Sequence, residues 1–92
     1  MTVITMLEFP DVTQELYERV GWRLALSGAP KGIRYHACGA IADGWRIVDI
    51  WDSQEAFDQF VDAIYLPAML AEGGPPPSRR EVIIACYAGP VQ

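Results

Sequence analysis

The sequence predicts a small α+β domain of βαββαβ order, and three observations carry that expectation. A short β-branched apolar run, Thr2 to Phe9, opens the chain. Two stretches with helical apolar spacing follow at separate places, and an Asp-Gly turn joins two strand-like segments between them. Ninety-two residues leave room for one domain, 1–92.

Thr2 to Phe9 reads as a strand covered on both faces. Pro10-Asp11 breaks it, and Asp11 or Thr13 is placed to cap the next helix. Val12, Leu16, Val20 and Leu24 recur every four residues with Tyr17 beside them, which predicts an amphipathic helix to about Ser27, ended by Gly28 and Pro30. Lys31-Gly32 is a turn. Ile33 to Ile41 and Trp45 to Trp51 are predicted strands. Asp52 or Ser53 then caps a second helix, with Asp52 and Glu55 at capping-box spacing and Ala56, Phe57, Phe60, Val61 and Ile64 as its buried stripe. Pro67 is expected to kink or end that helix, because it has no N–H to donate. Glu81 to Tyr87 is the last strand, with a loose tail from Gly89. Two β-α-β halves give the split, ferredoxin-like order, with one four-stranded antiparallel sheet and two helices on one face.

Composition narrows the partners. The net charge of −5 argues against nucleic acid, which needs clustered Lys and Arg. The apolar runs are too short and interrupted for a membrane span. The chain enters a strand without a basic and apolar leader pattern, so a cytoplasmic protein is expected. Cys38 and Cys86 lack metal-ligand spacing and read as buried thiols; a single His adds no cluster, so no metal is expected. Gly73-Gly74-Pro75 runs into prolines and cannot open a phosphate-binding helix, so no nucleotide cofactor is expected. Hydrophobic residues make up 51% of the chain, including three Trp, four Tyr and three Phe, more apolar surface than one small core absorbs. A second copy covering the open side of the sheet would take up the excess.

A two-residue loop at Asp43-Gly44 would pair Ala42 with Trp45, Ala40 with Ile47, Cys38 with Asp49 and His36 with Trp51. Cross-strand partners share a face. Arg34, His36, Cys38, Trp45, Ile47, Asp49 and Trp51 then form one face, and Tyr35, Ala37, Gly39, Ile41, Val48 and Ile50 the other. The second set is smaller and almost wholly apolar, so it is expected under the helices. The first is expected to point away, into an interior shared with the partner copy.

That first face carries the candidate chemistry. His36 is the one side chain suited to proton transfer at neutral pH, and Asp49 is placed to orient it. Asp49 in the middle of an apolar strand is either a general base or half of a structural ion pair with Arg34, Arg46 or His36. Trp51 is a candidate to stack on a planar ligand, with Trp45 behind it. Tyr17 and Trp22 on the first helix are candidate walls, Tyr65 a candidate hydroxyl, and Arg34 a candidate anchor for an anionic group. Each has a plain alternative in packing or in a surface ion pair. Cys38 lacks the electropositive setting of a nucleophile.

The run His36-Ala-Cys-Gly and then Asp43-Gly-Trp-Arg-Ile-Val-Asp-Ile-Trp-Asp-Ser-Gln-Glu-Ala-Phe-Asp-Gln-Phe60 resembles the small dimeric α+β barrel proteins grouped with antibiotic-biosynthesis monooxygenases. Val3-Ile-Thr-Met-Leu-Glu-Phe9 and Leu66-Pro67 are similar too. The resemblance implies a homodimer with facing sheets and a pocket between each sheet and its helices or partner. It implies cofactor-free oxygenation, isomerisation or cyclisation of a hydrophobic or aromatic, polyketide-like molecule, or simple ligand binding, without choosing among them. The Asn-Trp-His set of haem-degrading relatives has no counterpart, since the chain contains no Asn. The expectation is therefore a homodimeric cofactor-independent enzyme with His36 and Asp49 as its proton-handling pair. The rival is a non-catalytic ligand-binding or accessory dimer.

Overall fold

The computed structural model describes residues 1–91. Its strands are β1 (Val3–Pro10), β2 (Ile33–Ile41), β3 (Gly44–Trp51) and β4 (Arg79–Ile84). Helix α1 (Gln14–Leu24) continues into a 3-10 turn, Ala25–Ser27. Helix α2 (Gln54–Phe60), a π-helical turn (Val61–Tyr65) and α3 (Leu66–Ala71) form one unbroken second helical run. The sheet order is β2-β3-β1-β4, with each neighbouring pair antiparallel. This is the expected ferredoxin-like α+β fold, with both helical runs on one face.

The caps explain where the helices begin. The Thr13 hydroxyl accepts from the Leu16 N–H at 3.2 Å, and the Ser53 hydroxyl accepts from the Ala56 N–H at 3.1 Å. Ser53, not Asp52, is thus the cap of α2. Gly28, at φ 75°, closes the first helical run, as its lack of a Cβ permits.

β1 alternates strictly: Val3, Thr5, Leu7 and Phe9 are buried, whereas the intervening residues are half-buried. The expectation of cover on both faces is corrected, because all the covering mass lies on one side. Trp45, Ile47, Asp49 and Trp51 of β3 share that side, in a core with Val20, Phe57, Val61, Tyr65 and Met69. The face assignment is therefore reversed. Large side chains lie beneath the helices, where curved surfaces leave deep gaps to fill. The short set, including Ala37, Gly39, Val48 and Ile50, makes the flat open face. Its half-exposed and exposed apolar residues include Ile4, Met6, Tyr35 and Ile83.

The hairpin register differs by two residues from that expected. Ile41 pairs with Gly44, Cys38 with Ile47 and His36 with Asp49, so the loop residues are Ala42 and Asp43. A shift of two preserves the faces while changing every partner. Gly44 takes no positive φ. Its glycine is required for another reason: a Cβ there would strike the carbonyl of Phe9. The Asp11 N–H, donating to the Asp43 carbonyl at 2.8 Å, holds the end of β1 against this hairpin. At the start of β2 a bulge between Ile33 and Tyr35 displaces Arg34 from the ladder.

Pro67 neither ends nor breaks the second helical run. The turn ahead of it is widened instead: the Leu66 N–H reaches back five residues to the Val61 carbonyl. This relaxes the ladder where a proline lacks an N–H and its ring crowds the preceding turn. Ile64, expected in the buried stripe, is exposed, whereas Phe57, Val61, Tyr65 and Met69, each four residues apart, are buried. β4 ends at Ile84 rather than Tyr87. Gln92, the end of the tail expected to be loose, lies outside the described residues.

Two glycine substitutions test this packing. Gly44→Ala should destabilise the fold by about 2 kcal/mol through overpacking against Phe9. Gly21→Ala, inside α1 with nothing near its missing Cβ, should stabilise it by roughly 0.5–1 kcal/mol. Urea denaturation midpoints measure both.

Candidate functional site

β2 runs along the edge of the sheet, beyond full cover by the helices, so His36 stands at the rim of the core. Asp49 lies beside it on β3, with its side chain only 9% exposed. The His36 Nδ1–H donates to Asp49 Oδ1 at 2.7 Å. A carboxylate only accepts, which fixes the tautomer of the neutral ring and leaves Nε2 as an acceptor. The Tyr17 O–H from α1 donates to that Nε2 at 2.6 Å. Tyr17 is held by stacking on Trp45, with ring centroids 5.1 Å apart. The result is a continuous chain of hydrogen bonds from a buried carboxylate through imidazole to a phenol.

The chain borders a cavity of about 330 Å³, at the lower end of the range for small-molecule sites. Leu7, Ala29, Pro30, Ile33, Ile47 and Phe60 give it apolar walls; Tyr17, His36, Asp49 and Tyr65 are its polar lining. No Lys or Arg lines it. The Tyr65 hydroxyl is buried and has no hydrogen-bonding partner among the described residues.

These surroundings set the proton affinities. The hydrogen bond to Asp49 raises His36 above its ordinary value of 6.5; partial burial opposes this, and the carboxylate's charge adds to it. Burial, followed by the neighbouring Cys38 thiol, pushes the Tyr17 hydroxyl well above the usual tyrosine value. Burial likewise raises Tyr65. Both phenols therefore stay protonated at neutral pH.

The structure brings together four of the seven candidate residues: His36, Asp49, Tyr17 and Tyr65 border one cavity. It separates the other three. Trp51 is fully buried between Phe57 and Phe60 and belongs to the core, not to a ligand wall. Trp22 points to solvent at 77% exposure, on the opposite side of α1 from the buried stripe. Arg34, displaced by the bulge, pairs with Asp52 at 3.4 Å and lies outside the cavity. The cavity itself lies between sheet and helices of one chain, not between two facing sheets, because the His36–Asp49 face is the helix face. Cys38 and Cys86 are exposed rather than buried. Among the described residues no group of His, Cys, Asp and Glu is placed to hold a metal ion. No helix among them is long and apolar enough to cross a membrane.

The apolar wall and the Tyr17 contact were not foreseen. Ile47 carried a signal, since it shares the face of Asp49. Tyr17 was a candidate wall beside the buried stripe, but its bond to His36 carried no signal, because the rotation of α1 over the sheet depends on packing that local spacing does not reveal.

No protein-family model matches the chain, and no curated protein matches it. Solved structures do. The chain is similar to SnoaB, a cofactor-independent oxygenase from Streptomyces nogalater, at 14% identity and a TM-score of 0.64, covering 98% of this chain and 97% of that one. It is similar to a dimeric ferredoxin-like protein of unknown function from Thermobifida fusca, at 22% identity and a TM-score of 0.57, over 90% and 88% of the two chains. A monooxygenase from the gene ActVA-Orf6 of Streptomyces coelicolor, solved with nanaomycin D, shares 20% identity over 98% and 92%, with a TM-score of 0.53. At such identities the likeness establishes a shared fold.

The His36 titration tests the geometry. Followed by NMR, His36 should titrate above 6.5, and Asp49→Asn should bring its midpoint down. Because the folded-state value is the raised one, the pair's contribution to stability is full below 6.5 and is lost as pH rises through the raised midpoint. A midpoint unmoved by Asp49→Asn would count against the bond.

Proposed function

We propose that the protein is a homodimeric, cofactor-independent enzyme that removes a carbon-bound proton from a small hydrophobic or aromatic molecule. The observation that carries this reading is the Asp49–His36–Tyr17 chain of hydrogen bonds at the wall of an apolar cavity. With His36 neutral, the Tyr17 oxygen takes the substrate proton as its own passes to Nε2; the Asp49 carboxylate then sits against the imidazolium formed. With His36 protonated the same chain runs backwards and Tyr17 donates. One arrangement thus serves isomerisation and ring closure, in which the carbanion is reprotonated. It equally serves oxygenation: the carbanion adds dioxygen to give a hydroperoxide, which loses water and leaves a carbonyl. The oxygenase and monooxygenase functions named for SnoaB and ActVA-Orf6 support considering that branch.

The dimer is supported by the open sheet face. Ile4, Met6, Val48 and Ile50 form a continuous half-exposed apolar surface there, flanked by exposed Tyr35 and Ile83. Such a surface is costly to leave in water. The Thermobifida fusca neighbour is described as dimeric. Two copies placed face to face would cover both surfaces and leave each cavity, on the far side of its sheet, free to work.

Two measurements test the reading. Wild-type protein should accelerate deuterium exchange at the acidic carbon of one or more aromatic ketones, read by NMR with oxygen uptake followed in parallel. Tyr17→Phe and His36→Gln should each reduce it about 100-fold; glutamine keeps a donor for Asp49 and so protects the fold. Ligand-induced thermal stabilisation without any acceleration would favour the non-catalytic rival. Separately, sedimentation should give a dimer for wild type and a monomer for Val48→Glu.

A further inference from the structure

The open face of the sheet carries a pattern beyond its apolar character. Strand pairing arranges it as three rows that cross β2, β3, β1 and β4 in that order. Gly39, Arg46, Glu8 and Arg79 form the first row. Ala37, Val48, Met6 and Glu81 form the second, and Tyr35, Ile50, Ile4 and Ile83 the third. Charge is gathered at one end. Arg46 meets the Glu8 carboxylate at 2.6 Å, and Arg79 approaches it from the other side at 3.4 Å while pairing with Glu81 at 3.0 Å. Bulk is uneven as well. The small Ala37 and Gly39 of β2 leave a hollow of about 250 Å³ bounded by Arg46 and Val48, whereas β4 presents the long Arg79 and Glu81.

We propose that this face binds a second copy about a two-fold axis running along the strands, and that the charged row selects the partner and sets the register. It rests on the dimer reading above and gives that dimer a geometry. Two stacked sheets can be related by a two-fold axis along the strands or across them. An axis along the strands lays β3 on the partner's β1 and β2 on the partner's β4. Arg46 then faces the partner's Glu8, and Glu8 the partner's Arg46, so that two ion pairs stack head to tail. Val48 meets the partner's Met6, and Ile50 the partner's Ile4. The hollow over Ala37 and Gly39 receives the partner's Arg79 and Glu81. An axis across the strands would instead set Arg46 and Glu8 on the partner's Ile50 and Ile4. That seals an ion pair away from water without giving it new partners, and it brings Glu81 against the partner's Glu81. Charge and shape favour the lengthwise axis together.

Native mass spectrometry, with one chain of each mixture carrying heavy nitrogen, tests the register. The double variant Glu8→Arg/Arg46→Glu keeps an ion pair within each chain and should dimerise with itself, its fold checked by circular dichroism. Refolded together with wild type, it should sort with its own kind. Like charges would face each other in the mixed dimer, which should reach only about a tenth of its statistical share. A milder pair of variants reads the same geometry in a Cys38→Ser/Cys86→Ser background. Ala37→Cys on one chain and Glu81→Cys on the other should lie roughly 10 Å apart across the interface, whereas two Ala37→Cys positions should be about 17 Å apart. A bismaleimide reaching about 10 Å should therefore join the mixed pair and leave Ala37→Cys alone unjoined. If the swapped chain does not fold, this crosslink decides. Statistical mixing of wild type with the swapped chain, or crosslinking of Ala37→Cys to itself, overturns the proposal while the dimer reading stands. Wild type that sediments as a monomer overturns both.

Discussion

The structure depends on how one carboxylate is kept under a hydrophobic core. Asp49 occupies an inward position of β3, between Ile47 and Trp51 on the same face and opposite Thr5 of β1. A carboxylate there without partners would be far too costly to keep. The fold places its partner one strand outwards, at the uncovered edge. His36 can reach Asp49 with one nitrogen because the hairpin register sets them directly opposite, and its other nitrogen then faces the gap beneath α1. Tyr17 fills that gap. The polar chain thus follows from burying Asp49 next to an edge strand.

The other wall of the cavity comes from the second helical run, whose inward stripe mixes rings with aliphatic side chains. Pro67 weakens the ladder, and the turn ahead of it widens to a π-helical one. Phe57 and Val61 stay in the core, while Tyr65 comes inward beside Phe60, with ring centroids 6.0 Å apart. Met69 and Ala68 continue the packing towards α1. Large flat rings set at angles to one another cover the sheet less evenly than aliphatic side chains do, and the space near Leu7, Ile33 and Ile47 is left open. At the outer side of the same run, Arg80 bonds Asp58 of α2 and Asp62 of the π-helical turn and lies over the Phe57 ring, tying both segments to β4.

Much of this was legible in the sequence. The element order, a cap at Asp11 or Thr13, the stop at Gly28 and the sharing of one face by His36 and Asp49 all follow from local signals, which act over a few residues. What escaped depended on contacts between elements. Asp43-Gly44 reads as the loop of a tight hairpin, yet Gly44 is a glycine because of Phe9, a strand away, and the loop sits one residue earlier. Which face the helices choose turns on fitting large side chains into curved gaps, and composition alone favoured the flatter set. Trp22 and Trp51 were indistinguishable as aromatic candidates, although one is at the surface and the other at the centre of the core. Tyr65 was attractive as a hydroxyl, and its inward position lies on the regular four-residue spacing from Phe57 through Val61, which a stripe drawn through Ile64 passes over.

The cavity's composition constrains the chemistry further than its polar residues do alone. Six of its ten lining residues are apolar, and the one formal charge among them, apart from a protonated His36, is negative. In such surroundings a newly formed carbanion meets no cation except the His36 imidazolium, whose charge Asp49 already balances, and gains little from bulk solvent. The negative charge must therefore be spread within the substrate, with neutral hydrogen bonds to receive what remains. Conjugated aromatic ketones meet that condition, since their conjugate bases delocalise charge onto oxygen and ring. Isolated carbonyl compounds with weakly acidic C–H bonds do not. The same field acts on the base: repulsion from Asp49 opposes carbanion formation until His36 becomes an imidazolium, which then neutralises the carboxylate at 2.7 Å. On the proposed reading, proton removal and charge compensation are one event, because as the carbon's proton reaches Tyr17 the Tyr17 proton passes to the ring that Asp49 already holds.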